Sequence, residues 1–304
     1  MAPKLKLNSS AQPTQQTQTL VKAPAPVQTS KPDLDFAMRT TTGKFRNLMD
    51  ASKVLIADVY IKLSPQGLRI RALDPAYIGN LNVTLPSDSD FFEEYSCAAD
   101  VMILLNAERV LNTLQPFPAE TKLEVWKAAD ESGIHFDTVQ IDVVENKQHK
   151  AKTSEWMLNP SETEAALNPW DKTPSPFDAP VAKVVFASKD LVKTVESHQA
   201  IAGDARITVT PKDVTISTKS DVGSGKTVFR AIGDARVRNF QTLRDFTSAE
   251  TVYTTAFLAS LLTKTAPFGE WVMLELGNDI PLKATYILSK EVIEVSVAPR
   301  IGEE

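Results

Sequence analysis

The chain has 304 residues, 42% of them apolar, with a single cysteine and a formal net charge of −5. At roughly 100–200 residues per domain this length suggests about two domains, each able to bury its own core, and excludes a single small module. Cys97 alone can form neither an internal disulfide nor a cysteine zinc site, which excludes a disulfide-stapled secreted scaffold and points to a reducing compartment.

In chain order, the first ten residues lack the apolar core of a signal peptide, and no run approaches the roughly 20 apolar residues of a membrane span. No membrane partner is expected. Residues 1–34 contain no aromatic, and 17 of the 34 are Gln, Thr, Ser or Pro. Such a stretch cannot bury enough apolar surface to offset chain entropy, so a disordered arm is predicted. Lys4, Lys6, Lys22 and Lys31 against Asp33 give it a charge of +3 and leave −8 on residues 35–304.

The spacing of Phe45, Leu48, Met49, Ser52, Leu55 and Ile56 predicts a helix over about 44–56. Ile61–Ile70 reads as strand, Ser-Pro turn and strand, and Asp74 before Pro75 is expected to cap a short turn around Tyr77. A helix near 106–115 and strands at Tyr60–Leu63, Lys122–Trp126 and Thr138–Val144 follow. From Met157 to Pro180, five prolines predict an inter-domain linker, whose Leu158, Leu167, Trp170 and Phe177 imply that it lies against a surface. Beyond it come helices near 188–201 and 254–265, with strands at Thr227–Ala231, Trp271–Leu276 and Val292–Val297. The division is therefore an arm (1–34), a first domain (35–156), a linker (157–180) and a second domain (181–304).

The two domains repeat one another. Ile61–Ile70 matches Ile207–Ile216 at a shift of 146 residues, and Leu114-Gln-Pro-Phe117 before Leu123 matches Thr265-Ala-Pro-Phe268 before Leu274 at a shift of 151. The fold class is α+β, two tandem repeats each with two helices and a large antiparallel sheet. Open sheet edges need partners. Ring closure through edge pairing is one solution, and a face-to-face sandwich is the other.

Motifs for catalysis are missing. Gly223-Ser-Gly-Lys-Thr227 ends like a phosphate-binding loop but has Ser220 where that loop needs glycine, and a strand-like run follows it, so it reads as a hairpin turn. A nucleotide-binding enzyme using Gly223–Thr227 is the alternative of a different class. His135, His149 and His198 lack metal-ligand spacing; His149 reads as a solvated loop residue and His198 as a core residue in phase with Leu191 and Val195. No enzyme activity, metal or cofactor is expected. The four predicted helices carry Lys44, Arg46, Lys53, Arg109, Lys189, Lys193 and Lys264 and sum to +3, which leaves −11 on the rest of the body; Lys264 has no acidic neighbour in sequence. Ordinary solvated helix faces are the other reading of those cations.

Three stretches of the first domain, Asp50–Leu55, Leu63–Ile78 and Phe91–Tyr95, together with Gly203–Val209, Asp279–Leu282 and the terminal Val297–Glu304, resemble sliding clamps of the proliferating cell nuclear antigen family, archaeal members more than eukaryotic ones. The resemblance covers about residues 35–304. It implies a DNA-clamp fold closed into a trimeric ring, sheets outside and helices around duplex DNA, acting as a polymerase processivity factor in replication and repair. The seven helix cations would then touch phosphates without reading bases.

The resemblance also implies a partner groove at Leu73, Tyr77, Ile78, Leu158, Pro281, Ala298, Pro299, Arg300 and Ile301, which receives short peptide motifs of DNA polymerase, ligase and nucleases. A separate ATP-driven clamp loader would open the ring, and edges near Lys150–Trp156 and Lys226–Ile232 would pair between subunits. The expected location is the cytoplasm, on the nucleoid, for an archaeal protein and the nucleus for a eukaryotic one. Asn80 stands where the family usually has an apolar groove residue, and the arm and the long proline-rich linker are additions. A specialised paralogue that works only within a heterotrimer is the alternative inside the same fold.

Overall fold

A computed structural model describes residues 34–128, 137–145, 148–149, 156–158 and 179–300. Residues 1–33 of the predicted arm, most of the linker with Trp170 and Phe177, His135 and Ile301 lie outside the described residues, and Leu34, read as the end of the arm, belongs to the first strand.

The first repeat runs β1 (Leu34–Thr41), α1 (Thr42–Lys53), β2 (Asp58–Ser64), β3 (Gly67–Leu73), β4 (Gly79–Pro86), β5 (Glu94–Cys97), β6 (Val101–Asn106), α2 (Ala107–Leu114), β7 (Lys122–Ala128), β8 (Asp137–Glu145), β9 (Gln148–His149) and β10 (Trp156–Leu158). The second runs β11 (Ala182–Ala187), α3 (Ser188–Gln199), β12 (Asp204–Val209), β13 (Asp213–Ser220), β14 (Gly223–Arg230), β15 (Val237–Thr242), β16 (Ala249–Thr254), α4 (Thr255–Thr265), β17 (Trp271–Leu276), β18 (Leu282–Tyr286) and β19 (Val292–Val297). A short 3-10 turn, Ala266–Phe268, follows α4.

The pairing scheme repeats strand for strand. β1 lies between β5 and β7 as β11 lies between β15 and β17, and β6-β2-β3-β4 runs in the same order as β16-β12-β13-β14. Ile61 faces Ile70 across the β2–β3 hairpin, and Ile207 faces Ile216 across β12–β13, in equivalent register. Alternation drives this register. Along β4 every second residue is buried, so a slip of one residue would turn Leu81, Val83 and Leu85 to solvent.

The repeats fuse where β4 pairs antiparallel with β19, from Gly79↔Val297 to Thr84↔Val292. That ladder makes one nine-stranded sheet out of both halves. Over the sheets the helices bury one face each, Phe45, Leu48 and Met49 on α1 and Leu258, Leu261 and Leu262 on α4. Thr41 Oγ1 accepts from the Lys44 amide at 3.4 Å, and Asn106 Oδ1 from the Arg109 amide at 3.1 Å, which fixes where α1 and α2 begin. α1 ends at Lys53, short of the expected 56, where the Leu55 amide tightens to a 3-10 bond with the Ser52 carbonyl at 3.0 Å.

Three sequence expectations are corrected. Gly223–Thr227 is strand, because β13 and β14 pair as far as Ser220↔Gly223 and confine the turn to Asp221 and Val222. Strand β15 follows it, with no helix whose amides could receive a phosphate. His149 belongs to β9, not to a loop, since the chain returns immediately to pair Val144 with His149. Met157 and Leu158, read as the start of the linker, sit in β10, where Met157 faces Thr138 on β8.

Gly67 closes the β2–β3 hairpin at φ +136°, and a Cβ there would lie 2.1 Å from the Leu85 carbonyl oxygen and 2.8 Å from the Ser87 amide nitrogen. Both obstacles are backbone, so no rotamer relieves them. Gly67→Ala should cost about 3 kcal/mol and lower the melting temperature by roughly 6–12 °C. Gly203→Ala, where nothing lies within 4 Å, is the control that should leave it unchanged in the same thermal scan.

Candidate nucleic-acid interface and partner groove

The helices form a single row. α1 packs on α2, α3 on α4, and α1 meets α4 at the seam between repeats. Their buried faces are apolar, so the cations emerge on the opposite side. Lys44, Lys53, Arg109, Lys189 and Lys193 are exposed, while Arg46 and Lys264 are half-buried. The observed helix limits retain all seven cations, and with them the charge of +3.

These cations are not equally available. Lys264, without an acidic neighbour in sequence, finds one in the fold: its Nζ lies 2.7 Å from Asp50 Oδ2 on α1, 214 residues away. Lys53 reaches Glu108 at 3.6 Å and ties α1 to α2. The Lys44 ammonium donates to the Asp90 carbonyl. Lys189 and Lys193 have no ion pair among the described residues; four residues apart, they share one stripe of α3.

α3 is fixed from beneath by His198, which is 2% exposed. Its Nδ1 lies 2.9 Å from Thr218 Oγ1 and its Nε2 3.0 Å from Thr227 Oγ1, so the helix is tied to β13 and β14 together. Burial lowers its pKa and keeps the ring neutral. The unfolded chain therefore takes up the proton first, and this anchor weakens as pH falls below about 6.5. Beyond β14, the Arg236 guanidinium grips Asp234 at 2.9 and 2.7 Å, donates to the Val228 carbonyl at 2.9 Å and lies over the Phe229 ring at 4.5 Å. That contact holds the Asp234 carboxyl down to about 2.

Leu73, Tyr77, Ile78, Pro281 and the tail residues 298–300 lie at the Gly79/Val297 end of the seam. Asp74 shapes the loop: its Oδ1 accepts from the Ala76 amide at 2.9 Å and its carbonyl from the Tyr77 amide at 2.8 Å. These bonds hold Tyr77 in the left-handed region at φ 60°, with its side chain 59% exposed beside Ile78 at 40%. The chain end then threads alongside, the Ala298 amide donating to the Ile78 carbonyl at 2.7 Å and the Arg300 amide to the Val252 carbonyl at 2.8 Å. Pro281 sits next to this end through the Leu282↔Val297 pair, and Leu73 through Leu73↔Asn80. Pro299 is half-buried in the tail, and Leu158 is placed only by its backbone in β10.

Arg300, expected in the groove, forms an ion pair with Asp204. Residues around it that had no sequence signal include Tyr253, whose hydroxyl donates to the Ile280 carbonyl at 2.8 Å. A Cβ on Gly79 would lie 2.5 Å from the Phe257 ring, so α4 approaches the groove loop as closely as glycine permits. Asn80 Oδ1 accepts from Asn82 Nδ2 at 3.3 Å, so its polarity is used along β4. Among the described residues no cluster of three or more metal-ligating side chains occurs, and no helix is long and apolar enough to cross a membrane.

Comparison with known proteins gives a consistent answer. The family model for the proliferating cell nuclear antigen N-terminal domain matches residues 36–164, and that for its C-terminal domain residues 177–301. The DNA polymerase sliding clamp of Methanothermobacter thermautotrophicus is 25% identical over 263 residues, covering 85% of this chain and 95% of the relative. That of Methanococcus maripaludis strain S2 is 24% identical over 270 residues, covering 88% and 99%. Among solved structures, PCNA from Thermococcus kodakaraensis superposes with a TM-score of 0.72 at 18% identity over 87% of this chain and all of that one. PCNA of A. fulgidus, solved with the C-terminal region of FEN-1 bound, gives 0.71 at 20% identity over 88% of this chain and all of that one.

Proposed function

Because the chain belongs to the proliferating cell nuclear antigen family and is a DNA polymerase sliding clamp, we propose that three copies close into a ring around duplex DNA and tether replication and repair enzymes there without catalysing a reaction. The observation that carries this reading is the helix row, which concentrates +3 in one layer of a body whose remainder is −11. Such a field attracts a phosphate backbone on one side only. Lys44, Arg46, Lys53, Arg109, Lys189, Lys193 and Lys264 are the proposed DNA contacts, with Lys189 and Lys193 leading because neither is engaged.

The repeat supports ring closure. Within the chain β4 takes β19 as its partner; the counterparts of these strands in the other repeat are β14 and β9. Among the described strands β14 pairs only with β13, and β9 only with β8. Pairing β14 of one copy with the β9 segment of the next reproduces the seam between copies, and Val222 and Ile232, 93% and 90% exposed, flank that edge. Sedimentation of the purified chain at micromolar concentration should give a trimer; a persistent monomer would reject self-closure and favour a heterotrimeric paralogue.

The groove around Tyr77, Ile78, Pro281 and the tail 298–301 is proposed to take short peptide motifs of polymerase, ligase, nuclease and clamp-loader subunits. The FEN-1 segment on the A. fulgidus relative supports this. The resulting location is wherever the genome is, nucleoid or nucleus.

Asp50 should restrain DNA contact by holding Lys264. Asp50→Asn is expected to steepen the salt dependence of DNA binding, by about 0.9 in log–log slope for each further phosphate that the freed lysine neutralises. Both side chains are more than a third exposed, so the same change should cost under about 1 kcal/mol of stability in a thermal melt.

A further inference from the structure

The β4–β19 seam ends in two different places. At its Gly79/Val297 end lies the groove just described. At its Thr84/Val292 end, roughly 17 Å along the ladder at 3.3–3.4 Å per residue, a pocket of about 290 Å³ opens among Leu85, Phe91, Phe268, Leu288 and Ile293. Its walls come from both repeats: Lys44 and Asn47 of α1 with Asp90 and Phe91 from the first, and the turn at Pro267–Phe268 with the segment 288–291 from the second.

We propose that this pocket is a second docking site, for a partner-protein peptide that presents a bulky apolar side chain next to a basic residue. Its volume falls just below the roughly 300–1,000 Å³ of pockets that hold drug-sized ligands, and suits one or two side chains. The apolar surface continues outward, with Ile287 48% and Val292 43% exposed next to it.

The rim sets the sign of the partner. Asp90 and Glu291 line the pocket, and neither carboxylate has an ion pair among the described residues. The two cations nearby are engaged elsewhere. Lys290 Nζ lies 2.8 Å from Asp88 Oδ2 and 3.0 Å from the Asp88 carbonyl, and Lys44 donates to the Asp90 carbonyl. Three carboxylates, Asp88, Asp90 and Glu291, thus face Lys290 and hold its ammonium above its ordinary pKa. An arginine or lysine beside the anchor would meet the Asp90 and Glu291 carboxylates, of which Glu291 Oε2 accepts from the Lys290 amide at 3.3 Å and neither forms an ion pair among the described residues.

Full-length chain carrying labelled Leu, Ile and Val methyl groups is titrated with a capped Gly-Ser-Arg-Leu-Phe-Arg-Gly peptide and with its Glu-Leu-Phe-Glu counterpart. The arginine peptide should shift the Leu85, Leu288 and Ile293 methyl resonances saturably and leave Ile78 unmoved. Asp90→Asn with Glu291→Gln, at surface positions that keep the pocket shape, should weaken that binding at least ~10-fold, the loss expected of an interfacial charge pair, with an unchanged melting temperature. Equal response to the glutamate peptide, shifts confined to Ile78, or no saturable shift would overturn the proposal. So would argininamide binding as tightly as the peptide, which would make the pocket a small-cation site.

Discussion

Lys189→Glu combined with Lys193→Glu is expected to strip the ring of most of its hold on DNA. Both lysines project from the exposed side of α3, opposite buried Leu191 and Val195, and His198 fixes the helix to β13 and β14 from below. In a trimer the pair amounts to as many as six phosphate contacts. At about 0.9 per contact their loss would remove roughly 5 units of log–log salt slope, and affinity near 0.2 M salt should fall at least ~1,000-fold. Equilibrium binding to a short open-ended duplex, on which enclosure holds nothing, measures this across a salt series. Lys212→Glu with Lys219→Glu makes the same charge change at exposed positions off the helices and should alter that binding little. Equal losses in the two double variants would mean that net charge alone is sensed and would remove the helix row from the account.

Removing the groove anchors should be nearly as severe for partner binding. Tyr77 and Ile78 are large apolar side chains held in solvent by a loop whose geometry Asp74 sets, and such anchors carry about 2 kcal/mol each when a peptide covers them. Tyr77→Ala with Ile78→Ala should weaken binding of the A. fulgidus FEN-1 C-terminal segment by several hundred-fold, about 4 kcal/mol for the two anchors together. The tail stays in place in this variant, because it is the Ile78 backbone carbonyl that receives the Ala298 amide. Tyr77→Gly separates folding from binding. Glycine relieves the roughly 1–2 kcal/mol of left-handed backbone strain, so its melting temperature should hold or rise while binding falls. Calorimetric titration and a thermal scan of the same samples report both, and wild-type affinity in the alanine variant would displace the site.

The elements were legible where local chemistry decides them. Alternating isoleucines betrayed both hairpins, and the internal repeat followed because Ile61/Ile70 and Ile207/Ile216 occupy equivalent registers. Asp74 announced its turn through the following proline, and His198 its burial through its phase with Leu191 and Val195. What stayed hidden depends on pairings distant in sequence. Nothing near Lys264 signals Asp50, because the contact arises only when β4 and β19 bring α1 and α4 together. For the same reason the seam pocket, whose walls are some 200 residues apart, left no mark in either half. β9 and β10 are two and three residues long, too short for periodicity to register.

The central claim is that the chain holds DNA by enclosing it. Protein assembled on a closed circular duplex should stay bound through a high-salt wash and be released when a single restriction cut linearises the circle. Equal retention before and after the cut, or loss of the protein from the intact circle in that wash, would contradict the account.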